Sequence, residues 1–258
     1  MLRPARILVL SLAALALTGR PAHALNDEIQ VYLDDMDEPG KRGLELHVNT
    51  TPRGRATQDY PGELPPYHVT RITPEFSQGL TRDFEGGLYV PAAMDTSGNL
   101  YLFGAKLRMK WIPLHSEDTG GWYAGANLEL ANVRRKFSES RYNSELRLIA
   151  GYRTHDLLIG FNEILEWALS PGYRGSPDAM HGLKLSHRVA EKVSLGAEYY
   201  DDRGPLSHPL PGDQHDRTLY LAADIENSSW DLNLGIGRGL NAATDAWTVK
   251  AIVGLSFD

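Results

Sequence analysis

From about residue 43 to the end, apolar and polar side chains alternate with a period of two, and no run after residue 24 reaches 18 consecutive apolar residues. The first 24 residues have the layout of an export signal. Together these observations predict an all-β fold: a transmembrane antiparallel up-and-down β-barrel of about 12 strands. An integral membrane protein without long apolar helices must satisfy every backbone N–H and C=O between strands, and only a closed barrel does so.

The export signal is read from Arg3 and Arg6, the apolar run from Ile7 to Leu17, and the sequence Ala22-His23-Ala24. Small residues at Ala22 and Ala24 predict cleavage after Ala24, so residues 1–24 are expected to be removed. Taking Arg3, Arg6 and Arg20 from 26 basic residues leaves 23 against 33 acidic ones, a formal charge of −10 that opposes nucleic-acid binding. There is no cysteine, which excludes disulfides, thiolate metal sites and a lipoprotein anchor.

Residues 25–41 form an acidic segment with Asp27, Glu28, Asp34, Asp35, Asp37 and Glu38. Its Ile29-Val31-Leu33 alternation predicts extended chain, either a periplasmic tail or edge segment, or a plug folded into the lumen. Its clustered carboxylates do not have the spacing of a calcium loop.

The barrel is expected over 42–258, with strands near 43–51, 67–79, 84–92, 99–112, 121–134, 143–153, 156–168, 179–189, 192–201, 217–226, 229–238 and 246–257. In the fourth, Tyr101, Phe103, Ala105, Leu107, Met109 and Trp111 share an apolar face against Gly104, Lys106, Arg108 and Lys110. The same pattern recurs at Trp122 to Leu130, Leu146 to Tyr152, Trp230 to Ile236 and Trp247 to Phe257. Short links such as Thr81-Arg82-Asp83, Thr154-His155, Ala190-Glu191 and Asn227-Ser228 alternate with longer ones such as Thr51 to Pro66 and Asp202 to Asp216. Short periplasmic turns and longer outer loops are the rule in such barrels, and an even strand number returns both ends to the periplasm. All five tryptophans fall near strand ends with outward parity, as interface girdles require: Trp111, Trp122 and Trp230 toward the periplasm, Trp167 and Trp247 toward the outside.

The end of the chain, Val253-Gly254-Leu255-Ser256-Phe257-Asp258, resembles the signature that barrel-assembly machinery reads in outer-membrane proteins, although the aromatic residue there normally comes last. Three further segments are similar to a family of uncharacterised proteobacterial outer-membrane barrels, akin to those encoded near aromatic (phenol) degradation pathways. They are Asp27-Glu28-Ile29-Gln30-Val31-Tyr32-Leu33-Asp34-Asp35, Thr73-Pro74-Glu75-Phe76, and Trp230-Asp231-Leu232-Asn233-Leu234-Gly235-Ile236-Gly237-Arg238-Gly239. The resemblance implies a transport barrel of the outer membrane and brings no functional residues with it.

Parity turns Arg71, Glu75, Lys106, Arg108, Lys110, Glu129, Glu145, Arg147, Lys184, Arg188, Glu198, Asp224 and Lys250 into the lumen. Lys106, Arg108 and Lys110 are expected to face Glu129, and Glu129 to face Arg147, in cross-strand ion pairs. Such a lattice either fills the interior or lines a solute path. The expected function is passive passage of small solutes, with aromatic or other hydrophobic compounds as candidates. Its rivals are a closed structural or adhesive barrel and an outer-membrane lipid hydrolase. Ser186-His187 points to opposite faces of a strand and Ser207-His208 lies in a loop, so neither makes a nucleophile–base pair, and no catalytic residue, metal or cofactor is expected. The expected partners are outer-membrane lipid, the assembly machinery and a small solute.

Overall fold

A computed structural model describes residues 28–257 apart from Asp118, so the export signal with Ala22 and Ala24, and Asp27 and Asp258, lie outside the described residues. Fourteen strands follow one another: β1 (Arg42–Arg53), β2 (Thr70–Gly79), β3 (Phe84–Tyr89), β4 (Ala92–Met94), β5 (Leu100–Leu102), β6 (Gly104–Leu114) and β7 (Gly121–Val133). Then come β8 (Tyr142–Arg153), β9 (Leu157–Ala168), β10 (Asp178–Ala190), β11 (Val193–Pro205), β12 (Asp216–Glu226), β13 (Trp230–Gly239) and β14 (Trp247–Phe257). Each pairs antiparallel with its neighbours, and β1 pairs with both β2 and β14, which closes the sheet. The strands β3 and β4 both lie along β2 and are two halves of one stave; β5 and β6 are likewise halves of the next. The barrel therefore has twelve staves, and their limits fall within a few residues of those read from alternation.

The two interruptions have a local cause and correct one expectation. Pro91 has no N–H to give to a ladder, and β3 ends before it. Opposite, Phe103 donates its N–H to the Pro91 carbonyl at 2.8 Å and Gly104 takes φ +145°, a bulge that shifts the side-chain parity. Phe103 and Tyr101 were expected on the lipid face. Instead Phe103 is buried inside the barrel with Val69, Ala93, Val133 and Phe137, Tyr101 packs against that cluster, and Leu100 and Leu102 are the residues exposed outward. A Cβ on Gly104 would meet the Asn132 carbonyl oxygen at 1.8 Å, so the bulge requires glycine.

The outward face is an apolar belt that includes Leu107, Leu128, Leu148, Leu185, Leu221 and Ile236, all exposed in the isolated chain. Exposing such a belt is unfavourable in water and favourable in lipid, which makes this an outer-membrane barrel. At the periplasmic rim Trp111 stacks on Phe84 at 6.1 Å and Trp122 meets Tyr152 at a tilt with centroids 5.0 Å apart, with Trp230 exposed beside the last strand. At the opposite rim Trp247 lies under the Arg238 guanidinium at 5.1 Å, and Trp167 is half-buried. The connections at the first rim are short, as at Ala190 to Val193, while those at the other run to 54–69 and 206–215.

Two outer loops fold over the mouth. The Leu64 N–H donates to the Lys136 carbonyl at 2.8 Å, Arg55 is held by Glu63 at 2.8 Å, and Phe137 stacks on Phe103 at 3.3 Å. The loop between β4 and β5 is pinned by Asp95, which accepts from Asn99 and Tyr101; these donors hold its carboxyl well below the ordinary range, at about 2.

Candidate functional site

Inward positions carry charge on almost every stave, and their pairing builds the site. Arg108 spans three staves, donating to Glu75 at 2.5 Å and Glu85 at 2.7 Å. Gly87 makes room for it, since a Cβ there would meet the Arg108 side chain at 2.7 Å. Across the lumen Glu198 accepts from Lys250 at 2.5 Å and Tyr200 at 2.7 Å and lies 3.4 Å from Lys184, which also reaches Asp224 at 2.7 Å. Buried charges are retained only when paired in this way.

The register puts Arg108 of the basic row opposite Glu129 as expected, but the side-chain contacts differ. Lys106 is 3.6 Å from Glu129, as expected, but Arg108 turns to Glu75 and Glu85, and Lys110 donates to the Asp35 carbonyl at 2.5 Å. On the next pair of strands Glu129 lies opposite Glu145 and Asn127 opposite Arg147, one step of two residues from the expected alignment. Arg147 consequently pairs with Glu145 on its own strand at 3.0 Å.

Residues 28–38 run through the lumen and occupy its middle. Asn162 of β9, fully buried, holds both backbone groups of Tyr32: the Tyr32 N–H donates to Oδ1 at 2.6 Å and Nδ2 donates to the Tyr32 carbonyl at 2.9 Å. Lys250 donates to the Ile29 carbonyl at 2.9 Å, and Arg147 donates to the Gln30 carbonyl at 3.0 Å while its guanidinium lies 4.0 Å over the Tyr32 ring. The Tyr32 hydroxyl contacts Glu28 and Tyr89. Nearer the periplasm Asp34 accepts from Ser116 at 2.6 Å and pairs with Arg153 at 2.6 Å, Arg153 also reaches Asp35 at 2.9 Å, and Ser77 donates to Asp37 at 2.5 Å. The Gly40 N–H then donates to the Gly79 carbonyl and the chain turns into β1.

The apolar side of the segment is seated in a track of glycines. Gly151 and Gly160 lie opposite each other on β8 and β9, and Gly182 lies opposite Asn162 on β10. A Cβ on Gly160 would come within 2.6 Å of Leu33 and 3.3 Å of Val31, and one on Gly182 within 3.4 Å of Val31. Tyr32, with Leu33 and Met36, packs against Ile112, Tyr123 and Ile149. Sequence reading missed Asn162, Tyr89 and this track. The available signal was the stretch Leu157 to Ile164, where inward positions are glycine, asparagine and apolar residues instead of charges. A wall of that kind matches an apolar occupant and not water.

Electrostatics follow from the burial. Desolvation raises the Glu28 carboxyl above the ordinary range against the pull of Lys106, His47 and Arg147, and it raises Asp37 against its bond from Ser77. The segment leaves space on both sides. Toward the periplasm there is a cavity of about 540 Å³ lined in part by Glu75, Arg108, Lys110, Lys184, Arg188, Glu198 and Asp224. Toward the outside a smaller one, about 90 Å³, is lined in part by Arg71, Lys106, Glu129, Glu145, Arg147, Tyr200 and Tyr220. Lys250 is the remaining inward residue and is covered by the segment.

The serine and histidine pairs are not assembled for hydrolysis. Ser186 is buried in the lumen and His187 is exposed outward, while Ser207 and His208 touch at 3.1 Å in an exposed loop. His181 is on the outer face against Glu163 at 2.5 Å and Phe161.

No protein-family model matches the chain, and no curated protein matches it in sequence. Among solved structures it is similar to the COG4313 outer membrane channel from Pseudomonas putida F1, with a TM-score of 0.62 and 12% identity over 89% of this chain and 100% of that one. It is also similar to a KdgM porin, with a TM-score of 0.55 and 11% identity over 84% and 99% of the two chains. A NanC porin gives 0.51 and 10% over 83% and 99%. These likenesses are of fold: each neighbour is an outer-membrane barrel of similar extent.

Proposed function

We propose that this barrel is a passive outer-membrane channel for small solutes, closed by residues 28–38 and opened when that segment leaves its seat. The observation that carries the reading is the lumen itself, polar and charged, with one cavity above the segment and one below it. A structural barrel has no need of a separate occupant held by its backbone groups, and twelve staves lie between the roughly 8 that side chains fill and the roughly 16 that hold an aqueous channel. The fold shared with the COG4313 channel and the two porins supports the same reading.

Small aromatic compounds are the solutes this reading favours. Tyr200 and Tyr220 meet edge to face at 5.7 Å beside the outer cavity, and quadrupolar edges and faces of this kind receive aromatic rings. The resemblance to barrels encoded near aromatic-degradation pathways points the same way. On this reading the chain carries no catalytic group, and its last strand, ending at Phe257, is what the assembly machinery engages.

Single-channel recording tests the proposal. Detergent-purified protein with and without residues 25–40 would be inserted in planar bilayers. Rare openings in the full chain and discrete, larger steps after truncation are expected. Silence in both forms, with folding shown by heat-modifiable migration, would overturn it in favour of a closed barrel.

A further inference from the structure

Where the seated segment meets β1 and β2, three residues distant in sequence converge. Glu28 from the segment, His47 from β1 and Glu75 from β2 each bring one ligand atom within 4.8 Å of the other two. Glu45, the cross-strand partner of Glu75, lies beside the group: its Oε2 is 3.4 Å from His47 Nε2, and Glu75 Oε2 is 3.3 Å from the same nitrogen. We propose that this cluster binds a divalent first-row transition-metal ion, with Zn²⁺ the natural probe, and that the ion staples the N-terminal segment to the barrel wall.

Three observations carry the site. Charge-assisted N–H···O bonds fall at about 2.7–2.9 Å, and both His47 contacts are longer than that. A tetrahedral ion with bonds of about 2.0–2.1 Å keeps its ligand atoms about 3.3 Å apart, which is the spacing of the Glu75 and Glu45 oxygens from His47 Nε2. The second observation is which oxygens are engaged elsewhere. Arg108 takes Glu75 Oε1 and leaves Oε2 toward His47, while the Tyr32 hydroxyl takes Glu28 Oε1 and leaves Oε2 3.8 Å from Lys106. Such contacts orient ligating carboxylates.

Charge is the third. Glu28, Glu45, Glu75, Glu85 and Glu129 bring five carboxylates round the site, with Lys106, Arg108, Lys110 and Arg147 set among them. Two carboxylates placed directly opposite across β1 and β2 repel unless a cation lies between them. Imidazole with carboxylates suits Zn²⁺ and its neighbours better than Ca²⁺ or Mg²⁺. No spacing in the sequence announces the site, because Glu28 joins His47 and Glu75 only when the segment is seated.

The site stands on geometry alone, whereas its effect on flow rests on the channel reading, and one protein preparation separates the two. Tag-free, EDTA-treated full-length protein would be dialysed against Zn²⁺ alone and then recorded in bilayers. One bound Zn²⁺ per chain is expected, weakened at least tenfold in Glu28→Gln and His47→Gln and unchanged in His155→Gln, which removes an exposed imidazole in a turn. If His47→Gln fails to fold, Glu28→Gln carries the test, since it alters no strand. Zn²⁺ is further expected to lower the open probability of wild type and not of Glu28→Gln. Absence of bound Zn²⁺, or equal binding by wild type and Glu28→Gln, would overturn the site whatever the conductance. Binding by a barrel that never conducts would refute the channel and leave the site in place.

Discussion

Replacing Asn162 by alanine removes the clamp on the N-terminal segment without touching a ladder of the barrel, because the amide is bonded to Tyr32 and the strand pairs through its backbone. Each of the two bonds contributes about 0.5–1.5 kcal/mol net, and the Tyr32 N–H and carbonyl left unpaired in a buried place add to the loss. Discounting for water that enters the new space, the seated form should lose about 2–4 kcal/mol relative to the released one. At about 1.4 kcal/mol per tenfold change, the ratio of released to seated segment rises by roughly 30- to 1000-fold. Open probability in planar bilayers would show this directly, and protease cleavage of the N-terminal segment would report it without any current. Asn162→Asp keeps one acceptor and should fall between the two. Heat-modifiable migration should be the same in all three proteins, because the strands are intact. If Asn162→Ala stays as closed and as protease-resistant as wild type, the reasoning that these two bonds hold the segment is wrong.

Other consequences can be read with the same equipment. In Gly160→Val the added methyl groups meet Leu33, and the segment must move; faster proteolysis of residues 28–38 is expected, and an unchanged cleavage rate would deny the glycine track its role. Lys250→Met strands the buried Glu198 carboxylate with Lys184 and Tyr200 and should cost about 3–5 kcal/mol in urea unfolding, most of it recovered in Lys250→Met/Glu198→Gln; no recovery would mean that the loss is one of packing. On the lipid face Leu128→Arg should cost about 2–4 kcal/mol, whereas Thr218→Arg, beside Asp202 and Asp216 in the outer cavity, should be mild; equal costs would invert the assignment of faces. Acid should tighten the lower seat: the Asp37 carboxyl is raised by burial, so its contribution is complete below the ordinary carboxylate range and is lost as pH rises through the raised value. Lowering pH from about 7 to about 4 should therefore increase the closed fraction more in wild type than in Asp37→Asn, and an identical response would remove Asp37 from the seat.

One sequence-based expectation is reversed by the tertiary structure. Parity alone makes Asn127 a tolerant lumen position for arginine. In the barrel it is fully buried, lies between Lys110 and Arg147 in the register, and donates to Glu129 at 2.9 Å, so a third cation there is costly. Alternation says which face a residue takes and carries nothing about what stands in front of it.

The sequence by itself determined the strands, their faces and the two rims, because each follows from local repetition: a period of two from one residue to the next, and turn residues between. It named Lys106, Arg147, Glu198 and Lys250 as inward for the same reason. Tertiary structure alone decided the register between staves, and so that Glu129 faces Glu145. It also decided the bulge that turns Phe103 inward, and the fate of residues 28–38, whose partners Asn162, Lys250 and Arg147 lie more than a hundred residues away. An acidic extended segment reads identically in water and in a cationic lumen. Only closure of the barrel puts the glycine track, the Asn162 amide and the Lys250 and Arg147 cation heads on one path, where burying Val31 and pairing Asp34 favour the seat over solvent.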